Sequence, residues 1–240
     1  MQDRYAGDVG DFSKFALLRS LGDVTQRTGV CWYATTGAGE SNNDGRHVAF
    51  LDRPERFRSI DPHLFDALGR FRNVVRSDPT QRTIASLERL ELLPTESRYH
   101  GLPVPTAAND RERWADAKRA LVDDCDLVFL DPDNGLEAAR LKVKSVALAE
   151  LVALRRPGRT IVLYHHQTRA AGGAAVEARA VAGRLRAAGV TRVDALRLRP
   201  YSSRFYFVID ASPLVVARLE RFHGAWADDA ELMLDVGGPR

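Results

Sequence analysis

Apolar residues recur along this chain in two rhythms, one of helical period and one of strand-like runs, and the two alternate. In "DFSKFALLRSLGDV" they fall at helical spacing (Phe12, Phe15, Leu18), with Asp11 as the expected N-cap and Gly22 as a stop. "GVCWYATT" then reads as a short buried strand ending at Thr35 or Thr36, followed by the polar loop "GAGESNNDGRH". Helical periodicity returns in "DPHLFDALGRF", "TQRTIASLERLELL" and "DRERWADAKRALVDDC", while "TESRYHGLPVPTAAND" reads as a Pro-containing connection. The strand "DLVFL" follows, then a helix over "VKSVALAELVALRRPG" closed by Pro157 and Gly158, and then the strand "RTIVLYHH". An alanine-rich helix, "AAVEARAVAGRLRAAGV", ends at Gly189. "RVDALRLR" and "RFYFVID", separated by "PYSS", predict an antiparallel hairpin, and "SPLVVARLERFHGAWA" predicts a last helix.

Strands alternating with helices predict an α/β fold: a doubly wound, Rossmann-like, mostly parallel sheet in three layers, finished by the C-terminal antiparallel hairpin. The 240 residues suit a single α/β domain, 1–240, with residues 54–93 as a helical insertion within it. Composition agrees, at 45% hydrophobic and 28% charged. Cys31 and Cys125 each sit in or beside an apolar run, which argues against a disulfide and for a reducing compartment. "MQDRYAGDVGDF" lacks the basic and apolar regions of a signal peptide, and no apolar run approaches the ~20 residues that span a bilayer. A cytoplasmic protein with no membrane partner is expected, its oligomeric state unknown. A net charge of +3 permits a polyanionic partner, RNA or DNA, without demanding one. Arginine outnumbers lysine, and the arginines that matter are those near a site.

Candidate chemistry concentrates in "DLVFLDPDNGLE", where a buried strand ends on Asp131, Asp133, Asn134 and Glu137. Strand ends are where α/β sheets hold ligands. A plain Asx-type turn leading into a helix start is the alternative. Carboxylates crowded at one strand end repel one another, so Asp131→Asn is expected to abolish activity and to relieve that repulsion. His165 and His166 end the next strand, and adjacent strand residues face opposite ways, so at most one of them meets the site. A structural histidine is equally compatible with His165. The hairpin tip "RPYSSR" carries Arg199, Ser203 and Arg204, either a solvated turn or a grip on substrate phosphates.

The segment "YAGDVGDFSKFALL" resembles the opening of the bacterial large-subunit rRNA adenine-N6 methyltransferases, whose pattern runs A-G-N-x-A-D-x-x-K-H-x-x-L. Ala6, Gly7, Asp8, Gly10, Asp11, Lys14 and Leu18 fall in register with it. The resemblance extends thinly over most of the chain and implies a class I methyltransferase fold that uses S-adenosylmethionine. It implies that Lys14 helps hold the cofactor, along with Gly37 and Gly39 of "YATTGAGE"; Asp44, in the polar loop after the first strand and so at the same sheet edge, is a further cofactor-binding candidate by position. The resemblance places the family's catalytic motif at Asp131-Pro132-Asp133-Asn134, with Asp131 accepting a hydrogen bond from the target amine. Phe15 stands where the family has histidine, and Asp133 and Asn134 replace its second proline and its stacking aromatic.

A second reading remains open, a metal-dependent hydrolase or nuclease. There Asp131, Asp133 and Glu137, with Asp44, would bind Mg²⁺ or Mn²⁺, and His165 or His166 would act as base or ligand. A third is a catalytically silent binding protein.

Overall fold

The computed structural model describes residues 1–35, 47–168 and 171–238. In chain order the elements are α1 (Val9–Gly22), β1 (Thr28–Trp32), α2 (Pro54–Phe57), α3 (Pro62–Ser77), α4 (Ile84–Glu88) and β2 (Arg98–His100). There follow α5 (Ala108–Leu121), β3 (Leu127–Asp131), β4 (Gly135–Leu136), β5 (Ser145–Val146), α6 (Leu148–Val152) and β6 (Thr160–His166). The chain closes with α7 (Gly173–Ala187), β7 (Val193–Leu198), β8 (Arg204–Ile209), α8 (Pro213–Trp226) and β9 (Ala230–Met233).

Seven strands form one sheet in the order β2-β1-β3-β6-β8-β7-β9, and β4 and β5 form a separate small pair. β1, β2, β3 and β6 are parallel, β8 enters antiparallel beside β6, and β7 returns to the common direction. The result is an α/β fold with a mostly parallel sheet, compatible with a Rossmann-like arrangement. Because both faces are covered, strand residues alternate between two cores. Val30, Trp32, Leu127, Phe129 and Val162 pack into one with α1, α3 and α8. Cys31, Tyr33, Val128, Leu130 and Leu163 pack into the other with α5, α6 and α7. Cys31 and Cys125 are free and buried. Among the described residues no helix is long and apolar enough to cross a membrane.

Local chemistry sets the helix starts. Asp8, not Asp11, caps α1, its carboxylate accepting from the Asp11 amide at 3.1 Å. Asp61 and Ser212 cap α3 and α8, each followed by a proline at the first helical position.

Four stretches depart from the sequence reading. The helix expected over "VKSVALAELVALRRPG" shrinks to α6, because Ser145 and Val146 pair with Gly135 and Leu136 instead. The helix expected from "TQRTIASLERLELL" is only α4, and Glu91 then adopts a positive φ of 49°. Residues 98–100, read as connection, become β2 by parallel pairing with β1. The edge strand β9 carried no clear strand pattern and is held by β7, with Arg197 paired to Glu231 at 3.1 Å.

The register brings the strand ends to one carboxyl edge: Trp32 lies beside Asp131, and Leu130 beside Leu163, so Asp131 comes next to Tyr164 while β6 runs on to His166. Thr36, expected at the same edge, lies outside the described residues.

Candidate functional site

A cleft of about 210 Å³ opens at this edge, between the start of α1, the end of β3 and the hairpin tip. Its walls include Lys14, Asp131, Asp133, Tyr164, His166 and Arg204, with Asp8 and Gly10 from the first turn of α1. Helix α1 reaches the strand end because Phe12, Phe15 and Leu18 bury its apolar face, which carries Lys14 inward.

Lys14 is buried, and its ammonium donates to Asp131 Oδ2 at 2.7 Å, with Asp11 Oδ1 at 3.0 Å. Its remaining polar contact is Met1 Sδ at 3.7 Å. Burial opposes the charged amine, but the carboxylates of Asp131 and Asp11 outweigh it and hold Lys14 well above its ordinary value. Burial also drives Asp11 up to about 6, with Lys14 pulling the other way. Asp131 thus has Oδ2 engaged, while Oδ1 has no hydrogen bond among the described residues.

Asp133 has its own partners. The Met1 ammonium lies 2.9 Å from Oδ1, Gln2 Nε2 donates to Oδ2 at 2.7 Å, and Lys144 stands 4.0 Å away. Burial works against the carboxylate, yet these partners hold it below its ordinary value. The carboxylates at this strand end are therefore individually neutralised rather than mutually repelling, which reverses the expectation that Asp131→Asn relieves strain.

The other singled-out residues separate. Asn134 is exposed and outside the cleft wall, with its amide donating to Lys144 O. Glu137 turns away: its Oε1 accepts from the Leu148 amide at 3.0 Å, at the start of α6. His165 faces the second core. Its Nδ1 accepts from the Leu136 amide at 3.3 Å, so Nε2 carries the proton and meets Glu177 Oε1 at 3.2 Å. Burial keeps its pKa low despite Glu177. His166 lines the cleft instead. At the hairpin tip Arg204 is in the cleft wall, while Arg199 is bonded to the Asp228 carbonyl and neither it nor Ser203 lines the cleft. Gly37, Gly39 and Asp44 lie outside the described residues. Among the described residues no group of three or more His, Cys, Asp or Glu side chains is placed to hold a metal ion.

A second recess lies beside the cleft at the ends of β1 and β2, lined by Asp3, Thr35, Glu88, Gly101 and Pro103 among others. Glu88 accepts from Trp32 Nε1 at 2.7 Å, and burial raises its pKa against that hydrogen bond. No sequence signal marks Glu88, since it meets the sheet edge only through α4 and the unforeseen pairing of β2 with β1.

Beneath the other face, Lys118 is buried between the rings of Tyr33 and Trp114, with Glu150 Oε2 at 3.4 Å. Burial lowers the Lys118 pKa. Beside it His100 stacks edge-on against Trp114, with ring centroids 5.1 Å apart and neither nitrogen hydrogen-bonded. Burial and the Lys118 charge bring His100 down to about 4.

The chain matches no model of a known protein family and no curated protein.

Proposed function

We propose that this protein is a class I, S-adenosylmethionine-dependent methyltransferase acting on the amino group of adenine in nucleic acid. One observation carries the reading: Asp131 ends a central parallel strand in the wall of a cleft, with Oδ2 fixed by Lys14 and Oδ1 left to accept. An amine N–H donated to Oδ1 would orient the nitrogen lone pair toward a methyl donor. The sheet supports the same reading. Its hairpin inserts β8 between β6 and β7, and a closing antiparallel hairpin is how the class I methyltransferase sheet finishes.

The residues present fit the cofactor in part. Glu88, with a carboxylate at the recess of β1 and β2, would take ribose hydroxyls, and the resemblance assigns Gly37 and Gly39 to its close approach. Lys14 would serve through Asp131, because its contacts already lie within the protein. S-adenosylmethionine supplies an electrophilic methyl group. Asn134 leaves the motif without its aromatic, so stacking on the base falls to rings of the cleft such as Tyr164 and His166. A metal-dependent hydrolase is less well supported, since Glu137 is engaged by Leu148 rather than turned to Asp131.

Calorimetric titration with S-adenosylmethionine tests the reading, followed by mass spectrometry of an adenine-containing strand incubated with both. Binding weakened by Glu88→Gln and a strand heavier by one methyl group are expected. No heat of binding at millimolar cofactor defeats the proposal.

A further inference from the structure

We infer that the cleft carries a phosphate subsite built on Arg204, so that its substrate presents a phosphate ester beside the base. The inference deepens the methyl-transfer reading and rests on it only for the choice of adenine as that base.

Arg204 opens β8 directly across from His166 on β6 and is only 3% exposed, yet it lines the cleft. Its hydrogen bonds go to neutral oxygens alone. Nη2 donates to Ser202 O at 2.7 Å, Ser202 Oγ at 3.1 Å and Pro200 O at 3.2 Å, and Nη1 to Ser13 Oγ at 3.3 Å. Nε is buried with no partner. No carboxylate of the described residues lies within 4.0 Å of this guanidinium. A buried cation without a counter-charge is costly, and structures keep one where an anion completes it.

Two comparisons within the molecule single it out. Arg159 is equally buried and also lacks an acid, but each of its nitrogens donates to a backbone carbonyl, and it lies away from the cleft. Lys14, the other buried cation of the cleft, is matched by Asp131 and Asp11. Among the described residues, the guanidinium of the cleft wall that has no carboxylate partner therefore sits at the hairpin side. On the α1 side Arg204 is covered by the bare backbone of Gly10 and by Ser13. A Cβ at Gly10 would stand 3.5 Å from Arg204 Nη1 and 2.8 Å from Asp8 Oδ1. Asp8 also lines the cleft on the Gly10 side, its Oδ1 accepting from the Asp11 amide, and the donors of Arg204 not spent on protein oxygens are Nε and one N–H of Nη1. The planar fork of arginine suits phosphate oxygens, and Ser202 adds a hydroxyl at the same wall.

The test titrates the intact protein with adenosine, adenosine monophosphate and a five-nucleotide adenine strand, in low and high salt. Adenosine monophosphate should bind about tenfold or more tighter than adenosine, the scale of a charge-assisted hydrogen bond. Arg204→Ala should erase that gap, and Arg204→Lys, which keeps the charge and loses the fork, should reduce it. Should the alanine variant fail to fold, the lysine variant decides. A strand binding tighter than the mononucleotide identifies a phosphodiester as the source, and the reverse order a free nucleotide, and either upholds the subsite. Equal affinity for adenosine and its monophosphate, or a gap unchanged in Arg204→Lys, overturns it. S-adenosylmethionine titrated into the same samples reads the methyl-transfer proposal separately, because its failure leaves the phosphate gap standing.

Discussion

Lys14 and Asp131 are 117 residues apart in the chain and 2.7 Å apart in the fold, the ammonium of one held against Oδ2 of the other. This contact ties the amino-terminal helix to the central strand end and leaves a single oxygen of Asp131 facing the cleft. It also explains why acids gathered at one strand end are tolerated: Lys14 and the partners of Asp133 neutralise them singly.

Asp131→Asn should therefore lower stability rather than raise it. The amide keeps a hydrogen bond to Lys14 but removes the charge, at a cost of about 1–3 kcal/mol. Methyl transfer should be lost while S-adenosylmethionine still binds. Chemical denaturation and calorimetry on one preparation check both parts, and a variant as active as the parent would reduce the cluster to a structural turn.

Lys14→Met should cost more, about 3–5 kcal/mol, because it leaves two buried carboxylates facing each other without their cation. Asp11→Asn isolates one of them by its pH dependence. The folded pKa of Asp11 is raised from 3.8 to about 6, so its contribution is fully present below 3.8 and lost as pH rises through about 6. Relative to Asp11→Asn, the parent should lose stability across that window. Urea midpoints at a series of pH values read this, and two parallel curves would contradict it.

What the sequence revealed follows from which interactions are local. The helix of Phe12, Phe15 and Leu18, the strand before Asp131 and the hairpin around "PYSS" were legible, because period, burial and turn chemistry sit in adjacent residues. β2 was not, since Arg98, Tyr99 and His100 become a strand only by pairing with Gly29, Val30 and Cys31. The site divides in the same way. Asp131 was marked by its strand end. The inward turn of Lys14 onto it, the outward turn of Glu137 to Leu148 and the arrival of Glu88 at the sheet edge are tertiary facts without a local signature.

Metal should make no difference. With Glu137 held by the Leu148 amide, neither a chelator nor millimolar Mn²⁺ should move the thermal midpoint. Glu137→Ala should cost about 1 kcal/mol through the lost hydrogen bond at the start of α6 and leave S-adenosylmethionine binding unchanged. A midpoint raised by Mn²⁺ and no longer raised in Glu137→Ala would restore the hydrolase reading.

Gly135→Ala should be severely destabilising. Gly135 has a φ of 102°, and a Cβ there would fall 2.2 Å from His165 Nδ1 and 2.8 Å from the His165 Cα. Backbone strain and the clash together should exceed about 3 kcal/mol. His165→Ala should likewise act on stability, and His166→Ala on substrate binding. Denaturation and titration of the two histidine variants side by side test that division, and the opposite pattern would make His165 the residue that meets the ligand.

His100 predicts an acid-sensitive fold. Its imidazole, buried against Trp114 beside Lys118, stays neutral down to about 4, whereas the unfolded chain protonates it at its ordinary 6.5. A base with a lowered folded pKa gives stability that is complete above 6.5 and is lost as pH falls toward 4. The loss follows the gap between the unfolded value of 6.5 and the folded value of about 4. His100→Phe keeps a ring against Trp114 and removes the titration, so its stability should fall less than the parent's between pH 6.5 and 4. Asp11 biases the parent the opposite way over part of this range, which is why the comparison is made on the Asp11→Asn background. There the two curves should separate as acid is added. If they stay parallel down to pH 4, His100 is protonated within the fold and the burial argument for it is wrong.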